Sequence, residues 1–191
     1  KILNVAKKSN YNAILTSTKC LTGTDRVAEA SKKIKSNIFI NVQGDEPTIN
    51  PKDIKKIIEA KIKYPKFVIC GYDEVHKFEN PSNKNVIKVV VDQKSELIYM
   101  SRALIPSSKK RVKDYKYLKQ VCIYAFSKEE LRKFVSKNKK GKIEKMEDIE
   151  LLRFFDVGVK IKMIRLHSNS VAVDEIKDVK KAERLIKINS K

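Results

Sequence analysis

The stretch Asn37-Ile38-Phe39-Ile40-Asn41-Val42-Gln43-Gly44-Asp45-Glu46-Pro47 decides how the rest of the chain is read. Residues 37–42 are an apolar burst of strand length. The burst stops at once on a polar turn that contains Gly44 and closes on Pro47. A buried strand ending on such a turn is the unit of sheets covered by helices. In open α/β sheets, ligands bind in the crevice beyond the carboxyl ends of the strands. Asp45 falls just beyond Val42, beside a glycine that lets backbone approach a ligand. On position alone it reads equally as a ligand carboxylate or a plain turn residue.

Downstream, Asn50 and Pro51 open a helix with Ile54, Ile57 and Ile58 on its buried stripe, and residues 67–71 are the next strand. Upstream, residues 1–9 carry Ile2, Leu3, Val5 and Ala6 on one helical face, and residues 12–17 (NAILTS) read as a short strand. A turn at residues 22–26 follows, with Thr24 as a candidate cap for a helix through Val27, Ala28 and Ile34. This alternation predicts a mostly parallel sheet with crossover helices. After Tyr72 the pattern changes. Residues 85–92 and 96–101 are β-rich runs joined by Gln93-Lys94-Ser95, which reads as a hairpin. Residues 107–116 are basic and polar, 118–126 a strand, and 128–135 a helix. Met146, Ile149, Leu152 and Phe155 place one helix over 144–157. A strand at 159–166 and an amphipathic helix at 174–188 close the chain. There is no internal repeat or linker, so residues 1–191 read as one domain, with a β-rich subdomain around 73–126.

Composition bounds the function classes. Hydrophobic residues make up 41% and charged residues 35%, as in a globular protein. No apolar run approaches a bilayer span. Cys20, Cys70 and Cys122 lack the spacing of a zinc site or disulfide framework, which suits a reducing, cytoplasmic setting. The net charge of +20 comes mostly from lysines spread over every helix and reads first as a solvated surface. Nucleic-acid binding is the rival from another class, but no RNP-like, KH-like or finger motif aims the charge. Attraction of anionic nucleotides or sugar acids is a third reading. Asp174 opens the last helix behind a β-like run, where it reads first as an N-cap. Brought beside Asp45, it would complete a Mg²⁺ site of carboxylates and substrate phosphates.

Seven segments in order then resemble one family. Residues 21–29 (LTGTDRVAE) are similar to the SGTDRxAE element of CMP-Kdo synthetases, with Thr22 in place of Ser, and residues 41–47 match NVQGDEP without change. Residues 85–90 look like NVVKVV, 99–106 like YFSRAPIP, 123–125 like part of GIYxY, and 147–153 like ESLEQLR. Val173-Asp174 opens a variant of VDTPEDL. The resemblance implies a nucleotide-diphospho-sugar transferase-like, Rossmann-like α/β fold with a small β-rich part that forms a homodimer. The implied reaction joins CTP to 3-deoxy-D-manno-octulosonate (Kdo), an acidic 2-keto sugar of lipopolysaccharide, and releases pyrophosphate. Carried over residue by residue, Asp45 and Asp174 would hold Mg²⁺. Gly23, Arg26 and Gln43 would place CTP. Arg102, Tyr124, Glu147 and Glu150 would line the sugar site, with Arg102 on the sugar carboxylate. Without the resemblance, Tyr124 also reads as core, Glu147 and Glu150 as a solvated face, and Arg26 as an ordinary helix residue.

The pattern departs in two places. The family's opening strand and basic loop, resembling PARxxSxRxPGKPL, has no counterpart, so the chain resembles a member whose start was not included. An inactive fragment is therefore one alternative. The Arg-His before GIY is Lys119-Gln120 here, and the Gln of EQLR is Leu151. Another acceptor, an amino-Kdo or a sialic-acid-like nonulosonate, is the second alternative.

Overall fold

The computed structural model describes residues 1–77, 79–110, 112, 115–167, 173 and 176–189. Helices α1 (Ile2–Lys8) and α2 (Gly23–Ser31) precede the apolar burst, which forms β1 (Ile38–Val42). Beyond the polar turn, Asn50 caps α3 (Pro51–Lys63) by accepting from the Lys52 N–H, with Pro51 in the first turn. β2 (Val68–Glu74) follows, then β3 (Lys88–Val91) and β4 (Leu97–Ser101), the expected antiparallel hairpin. β5 (Leu118–Ser127) runs straight into α4 (Lys128–Phe134), where Ser127 and Glu130 form a capping box. Helix α5 (Lys142–Glu147), a single 3₁₀ turn (Glu150–Leu152), α6 (Arg153–Asp156), β6 (Ile161–Arg165) and α7 (Ile176–Asn189) complete the order.

The strands form one six-stranded sheet in the order β4-β3-β5-β2-β6, with β1 also paired to β5. The α/β class stands, but the expectation of a mostly parallel sheet is corrected. β1, β2 and β6 share a direction, as crossover helices require, yet β5 runs antiparallel between β1 and β2. Its length explains this. One edge of β5 serves β3 at Lys119 and β1 from Ile123 to Ser127, while the other edge serves β2. Among the described residues, β2 with β6 is the one parallel pair. Residues 73–126 thus add β3, β4 and most of β5 to the common sheet. A bulge falls between Cys70 and Gly71, where a Cβ on Gly71 would sit 2.6 Å from the Leu166 side chain.

The sheet is covered on both faces. Ile57 of α3 packs over Ile69, Val121, Ile123, Ala125 and Leu166. On the other face Phe126 stacks on Phe154 at 5.7 Å between centroids, and Phe134 lies 4.8 Å from Phe154. A buried ion pair ties α3 to α4: the Lys61 ammonium meets both Glu130 oxygens at 2.7 Å and also donates to the Pro65 and Phe67 carbonyls.

Three local expectations change. Residues 12–17 are not a strand: a strand needs a ladder, none runs beside them among the described residues, and Ile14 and Leu15 stay exposed. The cap of α2 is Thr22, whose side chain accepts from the Asp25 N–H, and not Thr24. The single helix over 144–157 is broken. Asp148 takes the left-handed conformation (φ 50, ψ 48), and Met146, one of the four residues at helical spacing, is 86% exposed. Among the described residues no helix is long and apolar enough to cross a membrane.

Candidate active site

Beyond the carboxyl end of β1 the sheet opens into a cleft of about 690 Å³. One wall is the start of α2. The Thr22 hydroxyl donates to Asp25 Oδ2 at 2.8 Å, which fixes the turn that presents Gly23 to the cleft. Arg26 also lines this wall. Its Nη1 holds Thr16 Oγ1 (2.9 Å) and the Ser17 carbonyl (3.0 Å), while Nε and Nη2 donate to no described residue. This half-engaged guanidinium suits an anionic group such as a phosphate.

The floor comes from β1 and β5. Asn41 pairs with Tyr124 across the two strands, so both side chains lie on the cleft face. The Tyr124 hydroxyl accepts from Gln43 Nε2 (3.3 Å) and Gln120 Nε2 (3.2 Å), which makes the three one unit. Burial pushes the Tyr124 phenol well above its ordinary range. Burial likewise pushes the Cys122 thiol up to about 12, so this cleft residue stays protonated and is no nucleophile. Asp45 is exposed at the mouth, and its carboxylate accepts no hydrogen bond from a described residue. Its carbonyl accepts from the Val173 N–H at 2.8 Å. Asp174, the other expected carboxylate, lies outside the described residues.

The break at Asp148 builds the remaining wall. Glu150 lines the cleft and accepts from the Thr24 N–H at 2.8 Å. Glu147 is turned away and does not line it. Its carboxylate accepts from Ser101 Oγ (2.6 Å), the Arg102 N–H (2.8 Å) and Tyr99 Oη (3.3 Å). Burial pushes this carboxyl up, but those hydrogen bonds outweigh it and leave it below its ordinary value. Arg102 does line the cleft, yet each nitrogen of its fork donates to a carbonyl, on Glu147, Lys84 or Asp148. Behind this wall the buried Arg153 grips Asp25 and Glu144 and lies over the Phe134 ring at 4.0 Å, which ties the start of α2 to the 150–153 segment.

The structure therefore gathers Gly23, Arg26, Gln43, Asp45, Arg102, Tyr124 and Glu150, and sets Glu147 aside as a support. Sequence reasoning missed Asn41, Asp148 and Lys140. Asn41 was findable from strand alternation, whereas Lys140 stands in a lysine-rich stretch that singles out no member. Of the three departures at the expected sugar site, Gln120 alone touches the cleft. Lys119 pairs with Glu79 at 2.6 Å, and Leu151 is fully buried in the core.

Among the described residues no group of three or more His, Cys, Asp or Glu converges on a metal position. Mg²⁺ does not require one, since one or two carboxylates plus phosphates and waters suffice. The unengaged Asp45 carboxylate fits that donor set.

Residues 1–161 match the family described as cytidylyltransferase. The 3-deoxy-manno-octulosonate cytidylyltransferase of a Nitratiruptor species is 35% identical over 187 residues, covering 95% of this chain and 77% of that protein. The protein of that name from Koribacter versatilis is 30% identical over 196 residues, covering 98% and 71%. The solved structure of CMP:2-keto-3-deoxy-manno-octonic acid synthetase complexed with CTP has a TM-score of 0.88 at 28% identity and covers 98% of this chain and 77% of that one. The inositol-1-phosphate CTP transferase from T. maritima, at 17% identity and a TM-score of 0.63, shares the fold. With the fold and nearly the whole sequence in agreement, the chain belongs to the cytidylyltransferase family.

Proposed function

We propose that the protein transfers CMP from CTP to 3-deoxy-D-manno-octulosonate, releasing pyrophosphate, as a Mg²⁺-dependent cytoplasmic homodimer serving lipopolysaccharide synthesis. The observation that carries the reading is the cleft itself, with phosphate-binding groups on the α2 wall and a hydrogen-bonding floor for a polyol. The names of the relatives agree with it. The free nitrogens of Arg26, on the α2 wall, take the triphosphate. Gln43 helps place the nucleotide, Tyr124 and Gln120 orient sugar hydroxyls, and Glu150 bounds the sugar end. The anomeric oxygen of the sugar forms the new bond to the α-phosphorus, and the bond to pyrophosphate breaks. Protonated Cys122 gives no covalent detour. Asp45 and Asp174 would hold Mg²⁺, which when bound supplies Lewis-acid stabilisation to the phosphates. The Val173–Asp45 backbone hydrogen bond supports that pairing, since it ties the residue before Asp174 to the loop of Asp45.

Incubation of the purified protein with CTP, Mg²⁺ and Kdo, followed by pyrophosphate release, tests the reading. No release with any 2-keto sugar acid sinks it. Gln120 in the floor favours one second reading, an amino-Kdo or nonulosonate acceptor, and direct competition between these sugars and Kdo decides between them.

A further inference from the structure

Three cations among the described residues line the cleft: Arg26, Arg102 and Lys140. Arg26 belongs to the α2 wall. The Arg102 fork is committed to three carbonyls, so it braces the Asp148 turn as much as it faces a ligand. Lys140 is different. Its one described partner is Asp148 Oδ1 at 3.1 Å, and that carboxylate is 73% exposed. A pair so open to water contributes little and exchanges readily. Lys140 also converges with Arg102 on Asp148, one through the side chain and the other through the carbonyl, so two positive groups meet at this corner.

We infer that Lys140 receives the carboxylate of the sugar acid, leaving Asp148 to solvent, with Arg102 as the fixed cation beside it; this rests on the sugar-acid reading above. The arrangement makes Asp148 an internal competitor that holds the ammonium in place until an acidic ligand arrives. A neutral sugar gains nothing from the exchange, so the corner selects for the acid group.

Steady-state kinetics of Lys140→Gln, Lys140→Arg and Asp148→Asn test the assignment. In Lys140→Gln the KM for the sugar acid should rise roughly tenfold, as on losing a charge-assisted hydrogen bond, while the KM for CTP and kcat stay within about twofold. Lys140→Arg should restore most of the loss. Asp148→Asn suits the left-handed turn and should lower the sugar KM about twofold to threefold by removing the competitor. A sugar KM unmoved in Lys140→Gln, or raised in Asp148→Asn, overturns the inference while wild-type turnover upholds the reading beneath it. If the wild type neither turns over nor binds any 2-keto sugar acid, both the inference and the reading beneath it are overturned.

Discussion

A carboxylate's neighbours decide whether it can serve a ligand, and three acids of this chain show the range. Asp45 is exposed and unengaged, so Asp45→Asn should leave stability within about 0.5 kcal/mol yet lower kcat roughly 100-fold or more if it holds the metal. Parallel melting and turnover measurements check this, and unchanged turnover counts against the assignment. Glu150 joins the cleft while holding the first turn of α2. Glu147 is a support. Its folded pKa lies below the ordinary 4.5, so its stabilisation is fully present above that value and is lost as pH falls through the folded pKa. Glu147→Gln should therefore be less stable than the wild type by about 1–2 kcal/mol at pH 7. Unfolding curves repeated at successively lower pH below 4.5 should show the gap narrowing, and a gap independent of pH would contradict the account. None of this sorting was legible in sequence, where Glu147 and Glu150 share a helical spacing and look alike.

Among the elements, those with a strong local signal were read correctly: β1, an apolar run stopped by a polar turn, α3 with its Asn50-Pro51 start, the β3–β4 hairpin and α4. The misread ones depend on distant partners. Residues 12–17 have strand composition but no ladder. The 144–157 segment has helical periodicity, but Asp148 breaks it because Glu150 must reach Thr24 and Arg153 must reach Asp25 on another helix. Such contacts leave no local trace. The join between α3 and α4 was equally hidden, and it yields an element-level prediction. Lys61→Met strands the buried Glu130 carboxylate and should cost roughly 3–5 kcal/mol in urea unfolding. Neither residue lines the cleft, so substrate KM values should hold in the protein that remains folded. A loss below about 1 kcal/mol would mean that Glu130 finds another donor.

For the whole molecule, the net charge of +20 surrounds a cleft meant for anions. A field of that sign raises the local concentration of a nucleotide triphosphate and is screened by salt. The KM for CTP should therefore climb several-fold between about 50 and 300 mM salt, with kcat nearly constant. A flat profile would confine the lysines to a solvating role. At this scale the sequence identified the α/β class, through one unbroken motif after a buried strand. The pairing order escaped it, because β5 is a full-length strand whose two edges are claimed from both sides of the chain.

That order has a consequence for how the protein is made. β1 and β2 are not neighbours, and each waits for β5. On a ribosome adding residues at ordinary speed, β1 emerges about eighty residues before its partner, an interval on the order of 5–15 s. Through that interval β1, joined for its later part by β2, has no native edge to pair with. The nascent chain is thus a client for whatever shelters sticky segments near the exit tunnel, and translation pauses placed before residue 118 would lengthen its exposure.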